Sequence, residues 1–460
     1  MFEKLFQLKQ NNTNVKTEVL AGITTFMTMA YILAVNPNIM ADAGMDKQGV
    51  LIATALASFA GCLFMALFSN YPFALAPGMG LNAYFAYTVC LPKEDGGLGF
   101  SWKLALFAVF CEGIIFIILS LMRVREAIFH AIPETLKSAI SVGIGLYIAL
   151  IGCINAKIVV KSDSTLITYQ QFDSDFHTVG ITALLAIIGV ILMAILLVYK
   201  VKGGILVGML IIWGVGMICE VTGLYVPNAA EGFYSLFPDF SSGIGFDGFK
   251  NIVGQAFQVD FKNVDILNFV IVLFALLFVD LFNTLGTFIG VASKADMMDE
   301  NGNMKGMKGA LLADAMATSV GAVFGASTTT TYVESAAGVA EGGRTGLTTI
   351  VTGFLFLISI LLSPVFLAIP SFATAPALII VGFYMIGNVV SIPFDDMIEG
   401  IPAFLAIIAM PFAYSIAEGI AVGVISYTIL VTVSGKRKEK KLSSLMYILS
   451  VLFILKYILL

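Results

Sequence analysis

The chain has 460 residues, of which 59% are hydrophobic and 12% charged, and its formal net charge is −5. Soluble domains carry about 25% charged residues, so this composition excludes an ordinary soluble protein. Apolar runs of about 18 residues or more, long enough to cross a bilayer, recur along the chain. Because the sequence lacks the alternating ten-residue segments of a barrel, we predict an all-α polytopic membrane protein.

Several classes of function are disfavoured by residue types and spacings. The five cysteines fall within apolar stretches and are not paired at metal spacing, so we interpret them as buried apolar side chains. The two histidines, His130 and His177, lie in predicted loops. The sequence has neither a P-loop nor a nucleophile elbow. We therefore predict no metal, no cofactor and no enzymatic activity. The N-terminal residues do not resemble a cleavable signal peptide.

The apolar segments, taken in chain order, predict fourteen spans in two sets of seven. The first set is 18–37, 49–69, 73–90, 102–122, 135–153, 179–198 and 203–222. The second set is 266–292, 308–326, 329–341, 345–369, 373–391, 400–414 and 416–433. Spans 3 and 10 are short and interrupted. A further apolar stretch, 444–460, either lies on the membrane or crosses it.

The distribution of basic residues predicts the orientation of the chain. With fourteen spans, 17 of the 25 Lys and Arg residues fall on the side of the N-terminus and 7 on the other side, with Lys456 unassigned. Short cytoplasmic loops carry an excess of Lys and Arg. We therefore expect a multi-pass protein of the cell membrane with a cytoplasmic N-terminus.

Spans 2 and 9 are similar in sequence. QGVLIATALASFAGCLFMA (48–66) and KGALLADAMATSVGAVFGA (308–326) share eight of nineteen residues without gaps. Seven spans separate them, so the two copies cross in opposite directions, which predicts a 7+7 inverted repeat of the kind found in secondary transporters. The alternative is that both helices simply share a composition suited to close packing.

The segments that follow these two spans are YPFALAPGMGLNAYF (71–85) and TTTTYVESAAG (328–338), and they predict a pair of broken helices. Pro77 and Gly78 favour a helix start, and the threonine run favours an extended lead-in. Such interrupted spans at equivalent places in two halves point to a binding site near the midplane. Glu334 is then expected at a half-helix N-terminus, facing a cavity.

Other ionisable residues also occur inside predicted spans, where a charge costs several kcal/mol and suggests a function. Asp280 and Asn283 are three residues apart and share a helix face. Asp314 is predicted to contribute either to the site or to the backbone of a broken helix. Glu112 and Glu418 are interpreted as helix-packing residues.

The segments ALAPGMGLNAYF, FVDLFNTLGTFIGVASKA and ADAMATSVGAVFGASTTTTYVESAAGVAEGGRTGLT resemble the nucleobase–cation symporter-2 superfamily, in particular its adenine/guanine/hypoxanthine permease branch. The resemblance implies a core domain of spans 1–4 and 8–11 and a gate domain of spans 5–7 and 12–14. The implied units are core 1–122, gate 123–222, outer loop 223–265, core 266–369, gate 370–433 and a terminal segment 434–460 with a basic stretch and an apolar helix.

The resemblance also implies residue roles. Glu334 is expected to accept hydrogen bonds from the purine ring, Asn82 matches the site amide of span 3, and backbone near Ala76 and Val333 is expected to contact the ligand. Asn283 stands where the family commonly has Asp. The full set of predicted substrate contacts is Glu334, Asn82, Asn283, Asp280, Ala76, Val333, Ser335 and Thr287. The predicted proton-coupling residues are Glu334, Asp280 and Asp314.

The resulting expectation is proton-coupled uptake of purine bases by alternating access. The expected partners are a purine, H⁺, the lipid bilayer and a second copy of the chain through the gate domain, with no nucleic acid. The alternatives are an anion carrier or a uracil/xanthine carrier of the same fold, a channel, and a membrane enzyme.

Overall fold

A computed structural model of the protein describes most of the chain. The described residues are 2–95, 97–122, 132–162, 165–172, 175–228, 233–240, 246–259, 264–294, 306–437, 439–440 and 442–459. Predictions that concern other residues lie outside this part of the chain; they include the loop position of His130 and the side assigned to Arg123, Arg125, Lys262, Lys305, Lys438 and Lys441.

The first half of the chain is mostly helical. Its helices are α1 Phe2–Phe6, α2 Val15–Met29, α3 Ile32–Asp42, α4 Lys47–Phe68, α5 Met79–Ala83, α6 Trp102–Leu121, α7 Glu134–Asn155, α8 Ile181–Val198 and α9 Gly204–Val221. Its strands are β1 Leu75–Pro77, β2 Val159–Ser162 and β3 Leu166–Tyr169. Two π-helical segments, Tyr84–Cys90 and Phe176–Gly180, adjoin α5 and α8.

The second half repeats this alternation of long and short helices. Its helices are α10 Phe246–Lys250, α11 Ile266–Lys294, α12 Met307–Phe324, α13 Ser335–Ala340, α14 Gly346–Ser359, α15 Ser363–Ala368, α16 Ser371–Ile386, α17 Met397–Phe412, α18 Ile416–Val433 and α19 Ser444–Leu459. One strand, β4 Thr329–Thr331, lies between α12 and α13. The short helix α10 lies in the loop predicted at 223–265.

Within the described residues, ten helical segments are long and apolar enough to cross a membrane. The protein is therefore a mostly helical, multi-pass membrane protein. Of the other four predicted spans, spans 3 and 10 are the interrupted segments, and spans 8 and 13 contain the shorter apolar helices Ile266–Leu281 and Met397–Phe412. The count of fourteen stays a prediction.

The helices pack in two groups. In the first group α4 packs against α12 and α14, α12 also packs against α6, and α14 packs against α2. In the second group α7 packs against α16 and α17, α16 packs against α8, and α17 packs against α18. Small residues allow the closest contacts: a Cβ added at Gly61 of α4 would lie 3.1 Å from the Cβ of Ala317 on α12.

The C-terminal helix α19 runs antiparallel along α18. Tyr447, near its start, lies 2.8 Å from Thr432, and Ser450 donates to Thr428 at 2.8 Å. Tyr457, near its end, donates to Glu418 in the first turn of α18. The helix α19 therefore packs against α18 along its whole length. The predicted packing role of Glu418 agrees with this contact.

A buried carboxylate joins the start of α2 to the start of α14. Glu18, which has no exposed surface, accepts hydrogen bonds from the backbone N–H of Arg344 at 2.9 Å and of Thr348 at 3.2 Å. It also accepts from the hydroxyls of Thr345 at 2.8 Å and Thr348 at 2.6 Å. Because the first N–H groups of a helix lack partners within the helix, the carboxylate satisfies donors that would otherwise be buried unpaired.

Replacing Glu18 with Ala should destabilise the protein. The change leaves several buried donors at the start of α14 without an acceptor, which costs about 2–4 kcal/mol. The measurement is the thermal unfolding midpoint in detergent, with the exposed Glu94→Ala as the matched control. Equal midpoints for the two variants would contradict this account of Glu18.

Candidate functional site

The two interrupted segments meet as a short antiparallel β-ladder. Strands β1 and β4 pair in the register Leu75↔Thr331, Ala76↔Thr330 and Pro77↔Thr329. Further backbone bonds extend the ladder, from Gly78 N–H to Thr328 O at 2.9 Å and from Tyr332 N–H to Ala74 O at 3.0 Å. The predicted extended lead-in and the helix start after Gly78 are both confirmed, since α5 begins at Met79.

Buried polar side chains hold β4 in place. The hydroxyl of Thr328 donates to the carboxylate of Glu112 on α6 at 2.7 Å, and Thr318 on α12 donates to the carbonyl of Thr329 at 3.0 Å. Ser327, just before the strand, donates to the side-chain carbonyl of Asn82 on α5. Glu112 thus has a structural role, as predicted, but its partner is the threonine run.

A second cluster lies behind β4. The hydroxyl of Thr284 on α11 lies 2.7 Å from that of Thr330, 3.0 Å from an oxygen of Asp280, and 3.1 and 3.2 Å from the two oxygens of Asp314. All four side chains have no exposed surface. Two acids from different helices therefore share one hydroxyl that also touches the ladder.

A cavity of about 440 Å³ lies in front of the ladder. It is lined by the end of β4 and the residues after it, by the start of α5, and by faces of α7, α11 and α16. Its polar lining includes Tyr31, Ser138, Ser141, Asn283, Thr287, Glu334 and Tyr384. The volume is within the range of small-ligand sites, about 300–1,000 Å³.

Glu334 is the acid that lines this cavity next to the ladder. It occupies the N-cap position of α13, as predicted, and lines the cavity. The hydroxyl of Tyr31, in the break between α2 and α3, donates to Glu334 Oε1 at 2.7 Å. The hydroxyl of Thr28 lies 3.5 Å from the Glu334 backbone carbonyl. The carboxylate is thus held from the break between α2 and α3.

The structure separates the predicted substrate-contact and proton-coupling residues into two sets. Glu334, Val333, Asn283 and Thr287 line the cavity, and Val333 is 43% exposed. The residues Asn82, Ala76, Ser335, Asp280 and Asp314 are fully buried and are not part of the lining. They pair within the ladder or support it through hydrogen bonds.

Supporting contacts explain this second set. Ala76 is paired with Thr330, and the hydroxyl of Ser335 accepts a hydrogen bond from Ala74 N–H at 3.0 Å. The Asn82 amide donates to Pro77 O at 3.4 Å. A direct substrate contact of these residues stays a prediction.

Sequence reasoning missed Tyr31 and the serines of α7. Tyr31 lies in an apolar stretch, MAYILAV, where a tyrosine is usually a packing residue, so its type and spacing gave no signal. Ser138 and Ser141 are three residues apart on α7. They bond the segment after α16, Ser138 to Ser391 and Ser141 to Asn388, each at 2.8 Å.

Exposed lining residues show where the cavity meets solvent. The exposed residues Glu134 and Asn388 lie at its mouth, where Lys137 pairs with Glu134 at 2.6 Å. Asn155 is at the far end of α7, about 27 Å from Lys137 along the helix.

Near Asn155 several side chains close the gap between the two helix groups. Tyr87 donates to Asp42 at the end of α3 at 2.7 Å and accepts from Asn155 at 3.1 Å. The rings of Tyr147 and Tyr414 are in contact, with centroids 5.4 Å apart, and Thr88 donates to the carbonyl of Tyr414 at 3.3 Å. The π-helical segment after α5 is thereby joined to the end of α3, to α7 and to the segment between α17 and α18.

The fold and the site define a helical membrane protein with a central cavity built on paired broken helices. The model of the permease family known as Xan_ur_permease matches residues 16–422. The chain belongs to this family, the nucleobase–cation symporter-2 transporters, and is a transporter and not an enzyme.

Two relatives and one solved structure illustrate the similarity. The chain is 42% identical to the guanine/hypoxanthine permease PbuO of Bacillus subtilis, over 98% of this chain and 99% of the relative. It is 37% identical to the adenine permease AdeQ of Escherichia coli, over 99% and 96%. The transmembrane domain of the cyanobacterial bicarbonate transporter BicA has a similar fold, with TM-score 0.60 and 15% identity over 87% and 97%.

Removing the shared hydroxyl at Thr284 should destabilise the region behind β4. In Thr284→Val the side chain keeps its shape but loses the donor that lies between Asp280, Asp314 and Thr330. We expect a loss of about 1–3 kcal/mol in unfolding free energy, measured as a lower melting temperature in detergent. Thr284→Ser retains the hydroxyl and should melt close to the parent; a loss of the same size in both variants would contradict the role of the hydroxyl.

Proposed function

We propose that the protein takes up purine nucleobases across the cell membrane by proton-coupled alternating access. The observation that carries this proposal is the carboxylate of Glu334, held by Tyr31 at the wall of a 440 Å³ cavity that also exposes Asn283 and Thr287. Carboxylate, amide and hydroxyl groups pair with the polar edges of a flat base. The relatives named as guanine/hypoxanthine and adenine permeases support the same class of substrate.

The charge of the site disfavours an anion carrier, although a bicarbonate transporter shares the fold. An anion in the cavity would meet the Glu334 carboxylate at short range, and like charges at such distances repel strongly where water is scarce. A neutral base that donates N–H groups meets the same carboxylate favourably. The site, and not the fold, therefore selects the substrate class.

Alternating access requires two bodies that move against each other around the site. We assign the first helix group, with β1 and β4, as the core, and the second group as the gate, within the inverted arrangement of fourteen spans. The pairing of α4 with α12 and of β1 with β4 supports the inverted repeat, because these elements occupy equivalent places in the two halves.

The exposed end of the cavity, together with a cytoplasmic N-terminus, supports an inward-open conformation. With the N-terminus in the cytoplasm, the predicted spans place Glu134 and Asn388 on the inner side and Asp42 and Asn155 on the outer side. The conformation is thus inward-open, and the bond from Tyr87 to Asp42 belongs to the outer closure. A homodimer through the gate group is part of the same proposal and rests on the family resemblance.

The coupling proton has two candidate locations. One is Glu334 itself, which meets the base directly. The other is the pair Asp280 and Asp314, which share the Thr284 hydroxyl behind the ladder. A proton at either location neutralises one carboxylate. This lowers the cost of the transition, because an unneutralised charge is expensive in a low-dielectric region.

Uptake of labelled purines tests the proposed function. Cells that lack their own permeases and express the chain should accumulate guanine, hypoxanthine or adenine, and a protonophore should abolish accumulation. Glu334→Gln should reduce uptake about 100-fold or more, since the amide replaces an acceptor with a donor at the site. The control is Glu341→Gln, an exposed acid whose partner is Lys202.

The uptake experiment contradicts the proposal if the parent chain accumulates no purine. It contradicts the coupling to protons if uptake continues unchanged with the protonophore. Equal uptake by Glu334→Gln and Glu341→Gln would contradict the proposed role of Glu334 in substrate binding.

Cysteine labelling tests the inward-open assignment. In a background without the five natural cysteines, Ser141→Cys in the cavity should react with an impermeant maleimide in inside-out vesicles and stay unlabelled in right-side-out vesicles. Lys157→Cys, beyond the other end of α7, should show the reverse pattern. Labelling of Ser141→Cys from the outside alone would overturn the assignment.

A further inference from the structure

We propose that Tyr31 determines which purines are carried, by holding Glu334 as a hydrogen-bond acceptor, so that the 6-oxopurines guanine and hypoxanthine are preferred over adenine. This inference rests on the proposed function and adds the substrate class within it. The relatives include permeases named for both kinds of purine, so sequence similarity does not make this choice.

The geometry fixes Tyr31 against the carboxylate. The Tyr31 ring has no exposed surface, and its hydroxyl lies 2.7 Å from Glu334 Oε1. Thr28, one turn earlier in the chain, approaches the Glu334 backbone carbonyl at 3.5 Å. The end of α2 and the break after it therefore approach both the side chain and the backbone of Glu334, which leaves the tyrosine little freedom to turn away.

Two other polar residues of the cavity lining have different partners. The Tyr332 hydroxyl donates to the carbonyl of Pro77. Lys137 is the cation among the described lining residues, and its Nζ lies 2.6 Å from Glu134 at the cavity mouth. Among the described residues, Tyr31 is the side chain that donates to the Glu334 carboxylate.

A phenol that donates to a carboxylate stabilises its ionised form. A hydroxyl carries one hydrogen, and an O–H bond to a charged oxygen is stronger than one to a neutral oxygen. Each carboxylate oxygen accepts more than one hydrogen bond, so Oε1 can hold Tyr31 and a ligand together. With the coupling proton on the pair Asp280 and Asp314, Glu334 offers a ligand two acceptor oxygens.

The purines differ at the edge that would meet these oxygens. Hypoxanthine and guanine carry a hydrogen on N1, and guanine adds the 2-amino group, so guanine can donate two parallel bonds to one carboxylate. Adenine has a lone pair on N1, which would face a carboxylate oxygen without a hydrogen between them. Adenine would therefore pair poorly with a Glu334 carboxylate that Tyr31 holds as an acceptor.

The test is competition against uptake of labelled hypoxanthine, with unlabelled hypoxanthine, guanine, adenine and 1-methylguanine as competitors. The ratio of half-inhibitory concentrations is used because it does not depend on the amount of protein in the membrane. In the parent, adenine should require at least about tenfold more than hypoxanthine, and 1-methylguanine, which lacks the N1 hydrogen, should compete poorly.

The Tyr31→Phe variant removes only the hydroxyl and should lower the adenine-to-hypoxanthine ratio about tenfold. Tyr332→Phe makes the same change on a neighbouring tyrosine whose hydroxyl bonds a carbonyl, and it should leave the ratio unchanged. Binding of the same bases to the purified variants, measured by competition with labelled hypoxanthine in detergent, gives the ratio even if transport by Tyr31→Phe is lost.

The outcomes separate the two proposals. A parent that takes up no purine overturns the proposed function together with this inference. The inference alone is overturned if the parent takes up purines with equal affinity for adenine and hypoxanthine. It is also overturned if 1-methylguanine competes as strongly as guanine. An unchanged ratio in Tyr31→Phe, or an equal change in Tyr332→Phe, also overturns it.

Discussion

The site depends on the short ladder between β1 and β4, in which three pairs of residues are joined by backbone hydrogen bonding. Within a membrane, backbone N–H and C=O groups must find partners inside the protein, so an extended segment is tolerated only when it is paired and buried. Two short strands from distant parts of the chain satisfy each other in the register Leu75↔Thr331 to Pro77↔Thr329. The helices α5 and α13 start from this ladder, and Glu334 lies at its edge.

The ladder explains most of the buried polar side chains around it. Glu112, Asn82 and the cluster formed by Asp280, Asp314 and Thr284 all reach the threonine run or the residue before it. Each comes from a different helix, so the ladder is fixed from several directions. Because buried donors and acceptors are costly when unpaired, the network favours one position of the strand.

The division between support and contact has a consequence for function. A cavity residue acts on a substrate by direct pairing, whereas a buried support acts through the position of β4. Substitutions in the two sets should therefore differ: those at the supports should alter stability and uptake together, and those at Glu334 or Tyr31 should alter uptake or substrate choice. The fold shared with a bicarbonate transporter shows the same backbone plan at 15% identity, so the chemistry depends on the side chains mounted on it.

Local patterns in the sequence were sufficient to predict the long helices and the breaks in spans 3 and 10. Apolar length predicts the membrane class. Pro77 and the threonine run predict the breaks because they restrict the backbone, and Gly78 does so because it permits unusual backbone angles. Glu334 stood out because an acid in an apolar span is expensive. The approximate ends of the long helices follow from the same signals, as the agreement of the predicted span 416–433 with α18 shows.

Only the tertiary structure decided which polar residues face the cavity. Asn82 and Glu334 are both polar residues of the predicted broken spans, yet Asn82 is buried behind the ladder and Glu334 lines the cavity. Tyr31 became a site residue because the break after α2 brings it to a carboxylate 303 positions later in the chain. Periodicity and composition describe neighbours along the chain, whereas such contacts depend on how distant helices pack, and that information is not local.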